Sequence, residues 1–200
     1  MRKIMKYIVL TVIWAVLASC STVSKEIKTK AHGEKVDVFR EVKEWEVVPQ
    51  GFADLMIKAS IKTHLEGHYL LELKKTFHGK PGYPFLINLG GQATTWKVDG
   101  QQEVMPDYDK KGRRNPERGE GMKYILEKRI RLKAGSHKIF FGLPSENYFK
   151  EIEITLKDRH QHILEFKPIY RTSRRNVPGF LSGVKEFEVF LDGIAVGQQP

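Results

Sequence analysis

Cysteine is almost missing from this 200-residue chain, which carries one. A single thiol excludes an internal disulfide framework and any zinc site built from several thiolates. Long apolar runs are missing as well. Tyr7 to Leu17 is uncharged for eleven residues, whereas a helix needs roughly 20 apolar residues to cross the hydrocarbon core. With a mean hydropathy of −0.41, the chain does not read as a multi-span membrane protein. No window carries the apolar spacing of a long amphipathic helix. There is no G-x-S-x-G elbow, no G-x-x-x-x-G-K-[ST] phosphate loop and no dinucleotide fingerprint.

What is present begins at the amino terminus. Arg2, Lys3 and Lys6 lead into the short apolar run, and Leu17-Ala18-Ser19-Cys20 follows at once. A charged start, a short apolar stretch and small residues are the pattern of a secretory signal. Leu-Ala-Ser-Cys resembles the lipobox of bacterial lipoproteins. The resemblance implies removal of residues 1–19, a thioether-linked diacylglycerol on Cys20 and acylation of its new amino group. Several acyl chains together make attachment effectively permanent, since each buried methylene contributes about 0.8 kcal/mol. In that family Ser21, rather than Asp, after the cysteine favours the outer membrane. Removing the leader takes away three of the 34 basic residues and leaves 31 against 24 acidic, a formal +7.

Residues 20–35 read as a lipidated tether, polar with two scattered aliphatics. Beyond it the chain reads as strands. Leu55, Ile57, Ala59, Ile61, Thr63 and Leu65 alternate with Met56, Lys58, Ser60, Lys62 and His64, the period of a half-buried strand. Tyr69, Leu71 and Leu73 predict a return strand, pairing Leu65 with Tyr69 and Thr63 with Leu71. Val36 to Val48 is strand-like with a parity shift that suggests a bulge. Phe85–Leu89 and Thr94–Val98 flank Gly90-Gly91, while Asp99-Gly100 and Asp192-Gly193 are tight-turn signals. Ile152, Ile154 and Leu156 point inward in one strand; His162, Leu164 and Phe166 share a face in the next. The spacing predicts an antiparallel β-sandwich, Ig-like, over residues 36–170. Residues 171–200 read as a basic loop and a C-terminal hairpin.

WKVDGQQ, RLKAGSHKIFFGLP and EIEITLKDRHQHILEF together resemble the PEGA-type surface module. In that module a strand ending in Asp-Gly is followed by a leucine, a Gly-x-His step and two further strands. The matching positions are Val98-Asp99-Gly100, Leu132 and Gly135-Ser136-His137, and the tail from Phe190 looks like a second such opening. The charged stretch after Met105 stands where the module has a short connection, and the Pro-Glu-Gly-Ala string is absent. The resemblance implies a PEGA-like envelope domain without catalytic residues.

Candidate chemistry is sparse. His160 and His162 are two apart and could chelate, with Asp158 as a third ligand. Leu164 and Phe166 share their face, however, so capping the core is the plainer role; no metal and no cofactor is assigned. Glu151 and Glu153 suit an acid–base pair, and equally the solvated face of an Ile-Glu-Ile strand. Trp45, Trp96, Tyr83, Phe85 and Tyr108 are candidates for a sugar-stacking platform. Residues 106–121 carry nine charged side chains and no aliphatic one, which predicts a long exposed loop whose acids offset its bases. Arg171, Arg174 and Arg175 lie in a second loop, RTSRRNVP, with no acid, and are the candidates for contact with an anionic surface. The sequence thus predicts a non-catalytic envelope lipoprotein, outer-membrane anchored. It would serve as a scaffold or binding module for another envelope protein or an anionic glycan or lipid, with no nucleic-acid partner. The alternatives are a carbohydrate-active or metal-dependent hydrolase and a glycan-binding module.

Overall fold

The central strand pairs with partners from distant parts of the sequence. The computed structural model describes residues 23–43, 47–71, 76–172 and 176–196. The leader, Cys20, Trp45, Leu73, Arg174 and Arg175 lie outside the described residues. Among those described, eleven strands form two sheets. The larger holds β1 (Phe39–Glu41), β2 (Phe52–Thr63), β5 (Gln101–Met105), β6 (Gly119–Lys133), β9 (Gln161–Tyr170), β10 (Val184–Leu191) and β11 (Ile194–Ala195). The smaller has the order β4 (Gln92–Val98), β3 (Tyr83–Leu89), β7 (Gly135–Leu143), β8 (Tyr148–Leu156). The chain is therefore all-β in character, with mostly antiparallel pairing. The exception is β2, antiparallel to β6 but parallel to β9.

The alternation of β2 holds: Leu55, Ile57, Ala59 and Ile61 are buried on one face. The predicted return strand does not form over its described part, Tyr69 to Leu71. Thr63 pairs with Met122 of β6, residues 66–71 are turns and bends, and Leu70 and Leu71 are fully exposed. The fifteen-residue β6 offers a longer apolar partner than a local hairpin could. Asp99-Gly100 also behaves differently. It is a corner at which the chain leaves β4 for β5 in the other sheet. A Cβ on Gly100 would lie 2.4 Å from Met122 Cγ, so only glycine fits there. Gly90-Gly91 and Asp192-Gly193 do turn two-residue hairpins. Asp192 and Gly193 both have positive φ, 51° and 81°, as a type I′ turn requires. The strand at the C-terminal end is an edge of the larger sheet, not a separate unit, for β10 pairs with β9.

Both sheets contribute to one core. Phe141 of β7 stacks on Phe166 of β9 at 4.1 Å between centroids and meets Phe187 of β10 edge-on at 5.2 Å. A second small cluster lies on the outer side of the smaller sheet. Residues 23–31, within the predicted tether, form a helix, α1. Ile27 is buried against Leu86 and Phe140, with Val23 and Phe149 alongside. The Asn88 amide donates to Lys30 O at 2.8 Å, and Lys30 Nζ lies 3.2 Å from Glu151. Two aliphatics four apart form one helical stripe; the sheet supplies the apolar surface they need. Covered by α1 outside and the core inside, all seven residues of β3 are buried.

Asp54 and Arg131 face each other across β2 and β6. Arg131 Nε donates to Asp54 Oδ1 at 2.6 Å and Nη2 to Oδ2 at 3.0 Å, with both side chains at most 4% exposed. Removing one partner strands a buried charge. Asp54→Ala is expected to cost about 3–5 kcal/mol, read from the urea midpoint of the protein.

Candidate functional site

Polar side chains gather where β2 and β9 end and β3 and β6 begin. Lys62 falls on the outer face of β2 by parity, yet its side chain is wholly buried. Its ammonium donates to Glu117 O at 2.8 Å and Gly119 O at 2.9 Å, lies 3.4 Å from Glu103 Oε2, and sits 5.1 Å over the Phe180 ring. Burial pushes it below the ordinary lysine range, and Glu103 opposes that shift. Tyr170 closes the other side of the group. Its hydroxyl donates to Glu117 Oε1 at 2.7 Å and accepts from Lys62 N at 2.8 Å, while Glu117 Oε2 pairs with Lys123.

Beside this network runs a chain of titratable groups. His64 Nδ1 donates to Leu65 O at 2.8 Å, His78 Nδ1 lies 2.9 Å from His64 Nε2, and His78 Nε2 lies 2.6 Å from Glu146 Oε1. Tyr83 OH donates to the same Glu146 oxygen at 2.9 Å. Each of the three histidine contacts requires one hydrogen. Tyr69 packs edge-on against His64 at 4.9 Å. His64, His78, Glu146 and Lys62 border a cavity of about 200 Å³ roofed by the 3-10 turn Gly179–Ser182. The sequence gives His64 an outer-face position; its burial comes from the 76–82 segment folding back over it, which no local pattern announces.

On the far side of that turn the two basic loops meet. Arg114 and Arg118 from one and Arg171 from the other line a hollow of about 280 Å³. The long loop is only partly exposed, because Arg118 is buried and residues 119–121 already belong to β6. Its acids do not all offset its bases at this hollow. Asp109 is held by Arg113, Glu117 points inward, and Glu120 accepts from Gln102.

The other candidates are dispersed. His162 is fixed on both ring nitrogens, with Nδ1 2.6 Å from Asp192 Oδ2 and Nε2 accepting from Lys157 N at 3.0 Å. Its ring packs near that of exposed His160, at 6.1 Å, and Asp158 caps Gly51 N. No metal-holding cluster of three acidic, His or Cys residues occurs among the described residues. Glu151 and Glu153 stand on β8 in the other sheet, beside Lys30 and Lys138. His160 and His162 on one side and Glu151 and Glu153 on the other therefore share no cleft among the described residues. His137 Nε2 donates to Lys133 O at 2.7 Å. Tyr83, Phe85 and Trp96 are buried in the core, and Trp96 Nε1 donates to Glu41, so they form no sugar platform. No family model, curated protein or solved structure matches the chain.

The buried phenols set a pH dependence. Burial raises Tyr83 and Tyr170 well above 10.0, with Glu146 and Glu117 adding to it, and raises Tyr124 to about 12. Folded pKa values above the unfolded ones give stability that is complete below the unfolded value and is lost as pH rises toward the folded one. Lys62, shifted down, works in the opposite sense up to 10.5. Above that value the loss is expected to reach about 1.4 kcal/mol per pH unit for each of these tyrosines still protonated. Tyrosinate absorbance and far-ultraviolet circular dichroism should therefore change together, in one cooperative alkaline transition.

Proposed function

We propose that this chain is a non-catalytic envelope lipoprotein. In this reading it is an Ig-like, PEGA-like β-sandwich held by acyl chains on Cys20, outer-membrane anchored. It binds an envelope protein or an anionic surface polymer through its basic end. The observation that carries the reading is the meeting of Arg114 and Arg118 with Arg171 at one hollow. Like charges gathered from two loops repel one another unless a counter-charge is shared, so their convergence favours an anionic partner. Arg174 and Arg175 follow Arg171 within four positions and extend the same positive run.

The docked helix adds a geometric argument. Cys20 is three residues from the start of α1, a reach of at most about 11 Å. A lipidated Cys20 would hold the domain close to the bilayer, with little slack. Basic residues close to an anionic surface contribute about 1 kcal/mol each.

Two measurements test this. Intact-mass spectrometry of the processed protein should show residues 1–19 gone and a diacylglyceryl adduct on Cys20; an unmodified thiol overturns the anchor. The triple change Arg171→Gln, Arg174→Gln, Arg175→Gln should weaken salt-dependent binding to phosphatidylglycerol vesicles about 100-fold. Unchanged binding overturns the anionic partner.

A further inference from the structure

The basic hollow holds one side chain that the fold itself leaves unanswered. Arg118 is 8% exposed, and its guanidinium has no hydrogen-bond or ion-pair partner among the described residues. Guanidinium is always charged and carries five donors in a planar fork. A buried one is normally paired, because an uncompensated interior charge costs several kcal/mol. Arg131 in the same chain obeys that rule with Asp54. Arg118 differs: its nitrogens are not among the side-chain atoms sealed from solvent without a partner, so its fork opens onto the hollow it borders beside Arg114 and Arg171.

The side chain is also held in place from behind. Lys62 Nζ grips the carbonyls of Glu117 and Gly119, the residues on either side of Arg118. The backbone that carries the guanidinium is thus fixed to a buried strand. Asn115 Oδ1 is taken by Glu117 N at 2.9 Å, which leaves its amide hydrogens as the group's remaining function. Thr172 adds a hydroxyl at the rim, and no Asp or Glu lines the hollow.

We infer that this hollow is a phosphate-binding site in which Arg118 is the buried contact and Arg114 and Arg171 the outer ones. Three guanidinium groups and two neutral donors exceed what a planar, singly charged carboxylate accepts. A phosphomonoester offers three oxygens in tetrahedral array and a charge of about −1.5 to −2 at pH 7. Guanidinium forks suit that geometry in a bidentate way. The phosphate could belong to a lipid or glycolipid headgroup or be free in solution; the chemistry of recognition is the same. The inference rests on the anionic-partner reading above and narrows it to one group and one residue.

The test uses the full mature protein in three arms. Titration with inorganic phosphate, followed by ³¹P NMR or calorimetry, should show saturable binding at one site, weakened about 10- to 100-fold by Arg118→Gln, the scale of one charge-assisted contact. Arg171→Gln, on the exposed rim, should weaken it as well and provides a reading if Arg118→Gln does not fold. Vesicles of phosphatidic acid, phosphatidylglycerol and phosphatidylcholine then separate the sources. Preference for phosphatidic acid that Arg118→Gln abolishes assigns the site to a headgroup. Saturable phosphate binding with no vesicle preference assigns it to a soluble phosphate. If phosphate binding is absent, or a folded Arg118→Gln binds phosphate as the parent does, the site is overturned. In that case, binding to phosphatidylglycerol vesicles that the triple arginine change still removes would leave the broader anionic reading standing. Loss of binding in every arm overturns both.

Discussion

An ammonium group buried at the end of β2 has to be neutralised by whatever chain lies near it. For Lys62 these are the carbonyls of Glu117 and Gly119 at the entry to β6, the Glu103 carboxylate of β5 and the Phe180 ring. Their arrangement determines the course of the charged loop. Glu117 turns in toward Tyr170 and Lys123, and Arg118, between the two gripped carbonyls, is left on the opposite side. Replacing the lysine by an apolar residue would leave those carbonyls without their donor and Glu103 without its ion pair, and an unmet buried acceptor costs about 1–3 kcal/mol. The position of the basic hollow is in this sense set by a side chain that does not line it.

The same end of the molecule shows two ways of accommodating charge. The His64–His78–Glu146 chain is hydrogen-bonded internally, and Tyr83 donates to the same carboxylate oxygen. The arginines across the 3-10 turn are not balanced by the described residues. A bonded polar network rigidifies its surroundings, while an open cluster retains capacity for an outside partner. The shared wall, Gly179–Ser182, is packed against the core through Phe180, so both depend on one short element.

Much of the strand pattern was legible in the sequence, because burial on one face forces period two. Leu55 to Ile61, Ile152 to Leu156 and His162 to Phe166 all lie as their alternation requires. What misled was pairing. Tyr69 and Leu71 fit a hairpin register with β2, but β6 and β9 supply more buried contact, and local parity carries no information about distant partners. Lys62 and His64 sit on the face that alternation assigns to solvent; the segments that bury them arrive from residues 76–82, 103–119 and 180. The helix over 23–31 was missed because two aliphatics suffice once a sheet presents Leu86 and Phe140 to receive them. Of the basic residues, Arg171 stood out by composition. Arg118 did not, since nothing in a run of nine charges distinguishes the one that lines the hollow.

The parallel seam between β2 and β9 has a temporal consequence. Asp54 and Gln161 are register partners, so the middle of the larger sheet cannot zip until more than half the polypeptide has been made available. Topologies that rely on such remote pairing are slow to form. The seam therefore closes late: whatever the chain meets before residues 161–170 are available meets it with the edge of β2 still open.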